Sequence, residues 1–308
     1  MISRIARRLA SSLLVLLIAS LVAFAILDAA PGDAALRLVG DTASQAQLDA
    51  LRAELGLDQP LLVRYARFIA GALHGDLGVS LMNGRPVVQL VGERFGYTFL
   101  LAITATLVAV MIGVPVGIFA ARRRGSLLDL LVMATMALGI SFPSFGLAIF
   151  LTGIFSVWLH WLPVVGGGTP AHLVLPTVSL ALPMLALVAR LSRSGVLDAA
   201  QAQYVLTARA KGLPVDYVWR KHILRNGLVP VVTVVGLHFG HLLGGTFVIE
   251  TLFGWPGLGR LIVQAVFDQD YPVILGAVLL LAGLFLTFNL LIDLMLGVID
   301  PRIGSEGV

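Results

Sequence analysis

Two histidines, His238 and His241, are three positions apart in an otherwise apolar stretch of the sequence. The glutamate of the His-Glu-x-x-His metal motif is absent, so the pair alone does not predict a metal site. Ser141 belongs to no Gly-x-Ser-x-Gly nucleophile motif. Lys211 and Lys221 follow alanine and arginine rather than glycine, which excludes a Walker A phosphate-binding loop. We therefore predict no catalytic residue, no metal and no cofactor bound by this chain.

The composition indicates a membrane protein rather than a soluble domain. The chain has 308 residues, of which 58% are hydrophobic and 12% charged, with a mean hydropathy of +0.96, whereas soluble domains carry about 25% charged residues. Because a charge at the bilayer centre is costly, stretches without charged side chains mark possible spans. Five such stretches occur, at 9–27, 95–121, 130–189, 226–249 and 271–292.

The third uncharged stretch is long enough for two spans. A span needs roughly 20 residues, and the turn-forming segment 163–170 divides this stretch. The sequence thus predicts an all-α polytopic protein with six transmembrane helices. The first uncharged stretch could instead belong to a cleaved signal peptide, but its length favours an uncleaved anchor.

Basic residues set the predicted orientation, because they concentrate in cytoplasmic loops. They precede the first span, follow the second, and are most frequent between the fourth and fifth. Both termini are therefore expected in the cytoplasm. We divide the chain into an anchor helix (1–28), an extracytoplasmic loop with amphipathic helices (29–94), a five-helix core (95–298) with a cytoplasmic loop (192–229), and a cytoplasmic tail (299–308).

The cytoplasmic loop contains the most polar long stretch, residues 204–230. Gly212 is suited to end a helix in the left-handed conformation, and Pro214 to begin a second one. In that second helix, an apolar stripe is expected at Val215, Val218, Trp219 and His222. The small side chains of Ala208, Ala210 and Gly212 would let another protein approach closely. A basic loop on anionic lipid is the alternative, which spacing alone leaves open.

The sequence resembles the permease of binding-protein-dependent ABC importers, in particular the dipeptide/oligopeptide branch. Tyr204-Val205-x-Thr207-Ala208-Arg209-Ala210-Lys211-Gly212-Leu213 is similar to the cytoplasmic EAA loop of that family, with Leu206 in place of the glutamate. Glu250-x-x-Phe253-x-x-Pro256-Gly257-Leu258-Gly259 resembles the loop before the last span, Gly75-Asp76-Leu77-Gly78-x-Ser80 the first outer loop, and Asp300-Pro301-Arg302 the C-terminus.

This resemblance implies a type I ABC importer permease fold in the bacterial inner membrane. It implies that residues 204–214 form a coupling helix that contacts a cytoplasmic ATPase, with ATP and Mg bound by that partner. The coupling residues would be Tyr204, Thr207, Ala208, Arg209, Ala210, Lys211, Gly212 and Leu213. The other implied partners are a paralogous permease subunit, a second ATPase and an extracytoplasmic binding protein, with membrane lipid around the spans and no nucleic acid. The cargo would be a dipeptide or oligopeptide, although relatives also carry nickel, glutathione or haem.

Further roles are expected for residues in and beside the spans. Intramembrane histidines tend to face a cavity or a partner group, so we expect His238, His241 and Ser141 to line the translocation pathway; internal hydrogen bonding is the alternative for the histidines. The outer segment with Phe253, Pro256 and Gly257 is expected to contact the binding protein, or to act as a lid on its own helices. An ion-coupled secondary transporter and an intramembrane hydrolase are the competing functions.

Overall fold

The computed structural model describes residues 2–29, 44–54, 56 and 58–299. These residues are almost entirely helical, and the described part of the chain contains one isolated β-bridge, between Val79 and Pro86. The Asp300-Pro301-Arg302 motif lies outside the described residues.

Thirteen helices follow one another in the described residues. They are α1 Ile2–Ala29, α2 Gln45–Glu54, α3 Leu61–Leu73, α4 Val87–Arg122, α5 Leu127–Ser141, α6 Ser144–Thr152 with a π-helical end Gly153–Trp158, α7 Pro170–Gln201, α8 Gln203–Ala210, α9 Val215–Tyr217 with its continuation Val218–Leu224 and Arg225–Gly227, α10 Val229–Gly245, α11 Phe247–Leu252, α12 Leu258–Asp268 and α13 Tyr271–Ile299.

The prediction of six spans is confirmed, with one of them broken. Five helical stretches are long and apolar enough to cross a membrane: Leu9–Ala29, Val87–Arg122, Pro170–Gln201, Val215–Gly245 and Tyr271–Ile292. A sixth consists of α5 and α6, which are bent by 98° at their junction. Phe142 at this junction is extended (φ −87°, ψ 125°), because a residue before proline is disfavoured in the helical conformation. Pro143 therefore ends α5 and starts α6.

The contacts divide the described chain into two compact units. The first unit contains the described residues of 1–98 together with 256–287. Its core joins the start of α4 with α12 and the start of α13 through buried apolar side chains, namely Val87, Leu90, Val91, Leu258, Ala265, Val273, Ile274 and Ala277. A buried polar contact supports this core, since the Asp270 carboxylate accepts hydrogen bonds from the Ser80 hydroxyl and from the Leu81 backbone N–H (3.1 Å).

The second unit contains residues 99–255 and the described residues of 288–308. Helix α7 is its centre and buries fourteen of its side chains. Two glycines of α4 allow close packing against α7, because a Cβ on Gly117 would lie 2.3 Å from the Ala189 carbonyl oxygen and one on Gly113 would lie 2.8 Å from that of Leu185. At these positions any larger residue would push the two helices apart.

Candidate functional site

Helix α8 is the segment predicted to couple to a partner, and it rests on the second unit through one narrow face. Val205 and Ala208, three positions apart, are buried. They belong to a small apolar cluster with Ala121 of α4, Val196 and Ala199 of α7, and Val218 and Ile223 of α9, which we call the loop cluster. The inward face of α8 thus connects it to the ends of two spanning helices.

Gly212 ends α8 as predicted. Its φ is +76°, a left-handed conformation. The Gly212 N–H donates to the Arg209 carbonyl (2.9 Å) and the Leu213 N–H to the Ala208 carbonyl (3.3 Å), which is the hydrogen-bond pair of a Schellman motif. The terminus is therefore a defined turn, and Pro214 follows as the cap of α9 (φ −56°, ψ 140°).

The outward face of α8 and the turn that follows it leave large apolar side chains uncovered. Tyr204 is 42% exposed, Leu206 52% and Leu213 37%. The other exposed residues of the predicted coupling set are Thr207, Arg209, Ala210, Lys211 and Gly212. A short helix with one apolar face on its own protein and further apolar side chains exposed is typical of a surface that binds another protein.

Ala208 corrects the expectation that its small side chain would admit a partner. It is buried in the loop cluster, so only Ala210 and Gly212 of the three predicted small residues are accessible. Sequence spacing could not decide this, because the face that an eight-residue helix buries depends on the helices beneath it.

Helix α9 also differs from the prediction. Its central part, Val218–Leu224, is π-helical, and the wider turn changes which residues share a face. Val218 and Ile223 are buried, whereas Val215 is 74% exposed, so the predicted stripe through Val215, Val218, Trp219 and His222 is wrong at its first residue. The helical run continues past Gly227 towards α10.

One charged contact attaches this region to a span and a second joins two spans nearby, and sequence reasoning missed both. The guanidinium of Arg122 lies 4.9 Å from the centre of the Trp219 ring, which is cation–π distance. The guanidinium of Arg193 on α7 donates two hydrogen bonds, of 2.6 and 2.7 Å, to the carboxylate of Asp129 on α5. The sequence signal for this second pair was an aspartate directly before the uncharged stretch 130–189, and the structure shows that Asp129 is buried.

The residues predicted to line a pathway lie apart from α8. The rings of His238 and His241 are 6.2 Å apart on α10. Within the described residues, His238 Nδ1 is buried and has no hydrogen-bond partner. Ser141 is exposed, and its hydroxyl donates to the Ala137 carbonyl (2.9 Å). The pathway role of these residues remains a prediction.

The residues predicted to contact a binding protein are largely covered. Phe253 and Gly257 are buried and Pro256 is half-buried. Phe253 packs in the core of the second unit, and its carbonyl accepts a hydrogen bond from the Gly166 N–H (2.9 Å). In this conformation the Phe253 ring offers no surface to a partner, and the contact itself remains a prediction.

Comparison with known proteins decides the family. Residues 113–305 match the family described as "Binding-protein-dependent transport system inner membrane component", and residues 1–102 match its N-terminal counterpart. The chain belongs to this family. This chain is 41% identical to the glutathione transport system permease protein GsiC of Escherichia coli strain K12 and 42% identical to that of Salmonella paratyphi A. Both alignments cover 98% of this chain and 99% of the relative.

Solved ABC transporters share the fold of this family member. A structure titled as inward-facing conformations of the MetNI methionine ABC transporter matches with a TM-score of 0.57 and 19% identity, covering 69% of this chain and 97% of that one. A crystal structure of an amino acid ABC transporter with histidines matches with a TM-score of 0.51. The predictions of an ABC importer permease fold and of a multi-pass protein of the bacterial inner membrane are confirmed.

Proposed function

We propose that this permease imports short peptides, forms half of a translocation pathway, and is coupled to cytoplasmic ATPases through residues 204–214. The observation that carries the coupling proposal is the exposed apolar surface of α8 and of the turn after it, formed by Tyr204 and Leu206 on the helix and Leu213 on the turn. Fully covering one large apolar side chain contributes about 1.5–3 kcal/mol, so a partner that covers these side chains gains binding free energy.

Coupling requires that force on α8 reaches the spans. The loop cluster joins α8 to α4 through Ala121 and to α7 through Val196 and Ala199, and packed side chains transmit a displacement rather than absorb it. ATP and Mg would bind to the ATPase partners, and closure of these subunits would move α8 and tilt the spans between two states. The remaining partners would be a paralogous permease subunit and an extracytoplasmic binding protein.

The cargo proposal rests on the relatives. The curated relatives compared above are glutathione transport permeases, and glutathione is a tripeptide. A short peptide therefore fits better than nickel or haem. The ion-coupled secondary transporter is not favoured, because the whole chain matches components of binding-protein-dependent systems.

The coupling proposal is tested by making the same leucine-to-serine substitution at two positions, one on each side of the membrane. Leu206→Ser removes an apolar contact from α8, and Leu73→Ser makes the same change at an 82% exposed residue of the extracytoplasmic loop. Proteoliposomes would contain the permease pair, its cognate ATPases, the binding protein and glutathione. We expect Leu206→Ser to reduce ATP-driven uptake about tenfold, corresponding to a loss of roughly 1.4 kcal/mol of binding, and Leu73→Ser to leave it near the wild-type rate.

Equal uptake by the two variants would contradict coupling through α8. Uptake driven by an ion gradient without ATP would contradict the importer class. Replacing glutathione with nickel or haem in the same vesicles tests the cargo separately. Uptake by Leu206→Ser and Leu73→Ser can be compared with whichever cargo is transported.

A further inference from the structure

A pocket of about 530 Å³ lies within the first unit, apart from the coupling segment. Its walls come from the end of α1, from Arg52 on α2 and Gly56 after it, from α3, from the loop after α3 and from the start of α13. The apolar part of the wall includes Phe24, Leu27, Leu77 and Leu275. The volume is within the range of pockets that hold small ligands, about 300–1,000 Å³.

The pocket is at the depth where two spans leave the hydrocarbon. The uncharged stretch of α1 ends at Leu27, and that of α13 begins at Tyr271; both residues line the pocket. Tyrosine is common at this interface. Helix α1 exposes Val22 and Ile26 beside the pocket-lining Phe24, so lipid reaches the same turn of the helix. By the distribution of basic loops, this is the outer side of the membrane.

The charged part of the wall consists of three arginines, Arg52, Arg64 and Arg67, and two aspartates, Asp28 and Asp76. Arg64 is neutralised by an ion pair with Asp28 and lies 5.5 Å from the centre of the Phe24 ring. Arg52 pairs with Asp49 at 2.9 Å. Two of the three cations thus have carboxylate partners already.

Arg67 is different. Its guanidinium donates to the neutral side-chain carbonyl of Gln59 (2.8 Å), and among the described residues no carboxylate pairs with it. Gly56 leaves room for this group, because a Cβ there would lie 3.0 Å from Arg67 Nη1. A guanidinium has five N–H donors in a fork that matches a phosphate, so most of them remain available to a ligand.

We propose that this pocket binds an anionic phospholipid of the outer leaflet. Arg67 is the phosphate ligand, and the acyl chains lie along Phe24, Leu27 and Leu275. The apolar wall at interfacial depth favours a lipid over an acidic segment of another protein. Since the wall includes α1, α3 and α13, the lipid would hold these three helices together.

The test measures lipid binding to the purified full-length chain by native mass spectrometry. The ligands are phosphatidylglycerol, which is anionic, and phosphatidylcholine, which is zwitterionic. Both lipids carry the phosphate, but the choline ammonium of phosphatidylcholine is repelled by Arg67, so we expect wild type to bind phosphatidylglycerol about tenfold more tightly. A charge-assisted contact contributes on that order, so Arg67→Gln should lose the preference. Arg67→Lys should retain part of it, since it keeps the charge but not the fork.

Arg85→Gln is the matched control, because Arg85 is an exposed arginine of the same loop that pairs with Glu93 outside the pocket. It should bind phosphatidylglycerol as wild type does. Melting temperatures in phosphatidylcholine should agree among all variants, which excludes misfolding.

Three results would overturn the proposal. The first is equal phosphatidylglycerol binding by wild type and Arg67→Gln. If Arg67→Gln weakened only the docking of the binding protein, Arg67 would contact that protein and not a lipid. The second is equal binding of the two lipids by wild type. The third is stabilisation of wild type, but not of Arg67→Gln, by inorganic phosphate alone, which would indicate a site for free anions.

Discussion

Gly212 adopts a left-handed backbone conformation, and the two hydrogen bonds of the Schellman motif depend on it. This requirement is local, so the residue type and its position after a helical pattern were enough to predict it. Ala208, four positions earlier, could not be placed in the same way. Its burial depends on Ala121, Val196 and Ala199, which are distant in sequence.

Substitutions at Gly212 should separate backbone conformation from side-chain bulk. A Cβ at this position meets no atom within 4 Å, so the cost of Gly212→Val is backbone strain, about 1–2 kcal/mol. Asparagine tolerates the left-handed conformation. We expect Gly212→Val to lower ATP-driven uptake severalfold and Gly212→Asn to keep most of it, measured in proteoliposomes at equal protein content. Equal losses would show that bulk, not conformation, matters.

The Asp129–Arg193 pair should stabilise the second unit. Asp129 is buried and held in a two-hydrogen-bond contact, and breaking a buried ion pair costs roughly 3 kcal/mol. Asp129→Asn should therefore lower the melting temperature clearly in detergent. The control is Asp49→Asn, whose exposed pair with Arg52 should contribute less than about 1 kcal/mol. Additive effects of Asp129→Asn and Arg193→Gln in a double variant would contradict a direct interaction.

At the scale of elements, the third span has a feature that the sequence alone could not predict. The chain bends by 98° at the junction of α5 and α6, where Pro143 lies. The size of that bend could not be predicted, because it depends on how α5 and α6 each pack against α7. The π-helical turn in α9 was missed for a related reason, since its residues are ordinary helix formers whose register is set by the loop cluster.

The role of Pro143 in the break can be measured directly. Pro143→Ala restores a backbone N–H and frees Phe142 to become helical. Because the chain has no cysteine, spin labels can be attached at Leu131→Cys and Phe150→Cys, both exposed positions. A continuous helix would separate them by about 28 Å along its axis. We expect a longer and broader distance distribution in Pro143→Ala, and an unchanged one would show that packing alone bends the span.

At the scale of the whole molecule, the uncharged stretches and the loop charges predicted the number of spans and their orientation, since both follow from the cost of burying charge in lipid. The family was predicted separately, from the resemblance of the sequence motifs. The surfaces that bind partners were harder to predict. Phe253 was expected at a docking surface and is buried, and the arginine pocket of the first unit had no sequence signal because its residues come from distant segments.

The predicted orientation can be tested on the same cysteine-free background. Lys211→Cys and Leu73→Cys place single thiols on α8 and at the end of α3, both at exposed residues. In intact spheroplasts, a membrane-impermeant maleimide should label Leu73→Cys and should label Lys211→Cys only after the membrane is opened. The reverse labelling pattern would show that the protein has the opposite orientation in the membrane.

The most direct test of the central claim, that α8 contacts a nucleotide-driven partner, is photo-crosslinking in the assembled transporter. A photoreactive side chain would replace the exposed Leu206, with the same replacement at Leu73 as control. We predict that the probe at 206 captures a Walker-motif ATPase, that its yield changes between nucleotide-free and ATP-trapped states, and that the probe at 73 captures none. Capture of lipid alone at 206, or no ATPase in either state, would contradict the account.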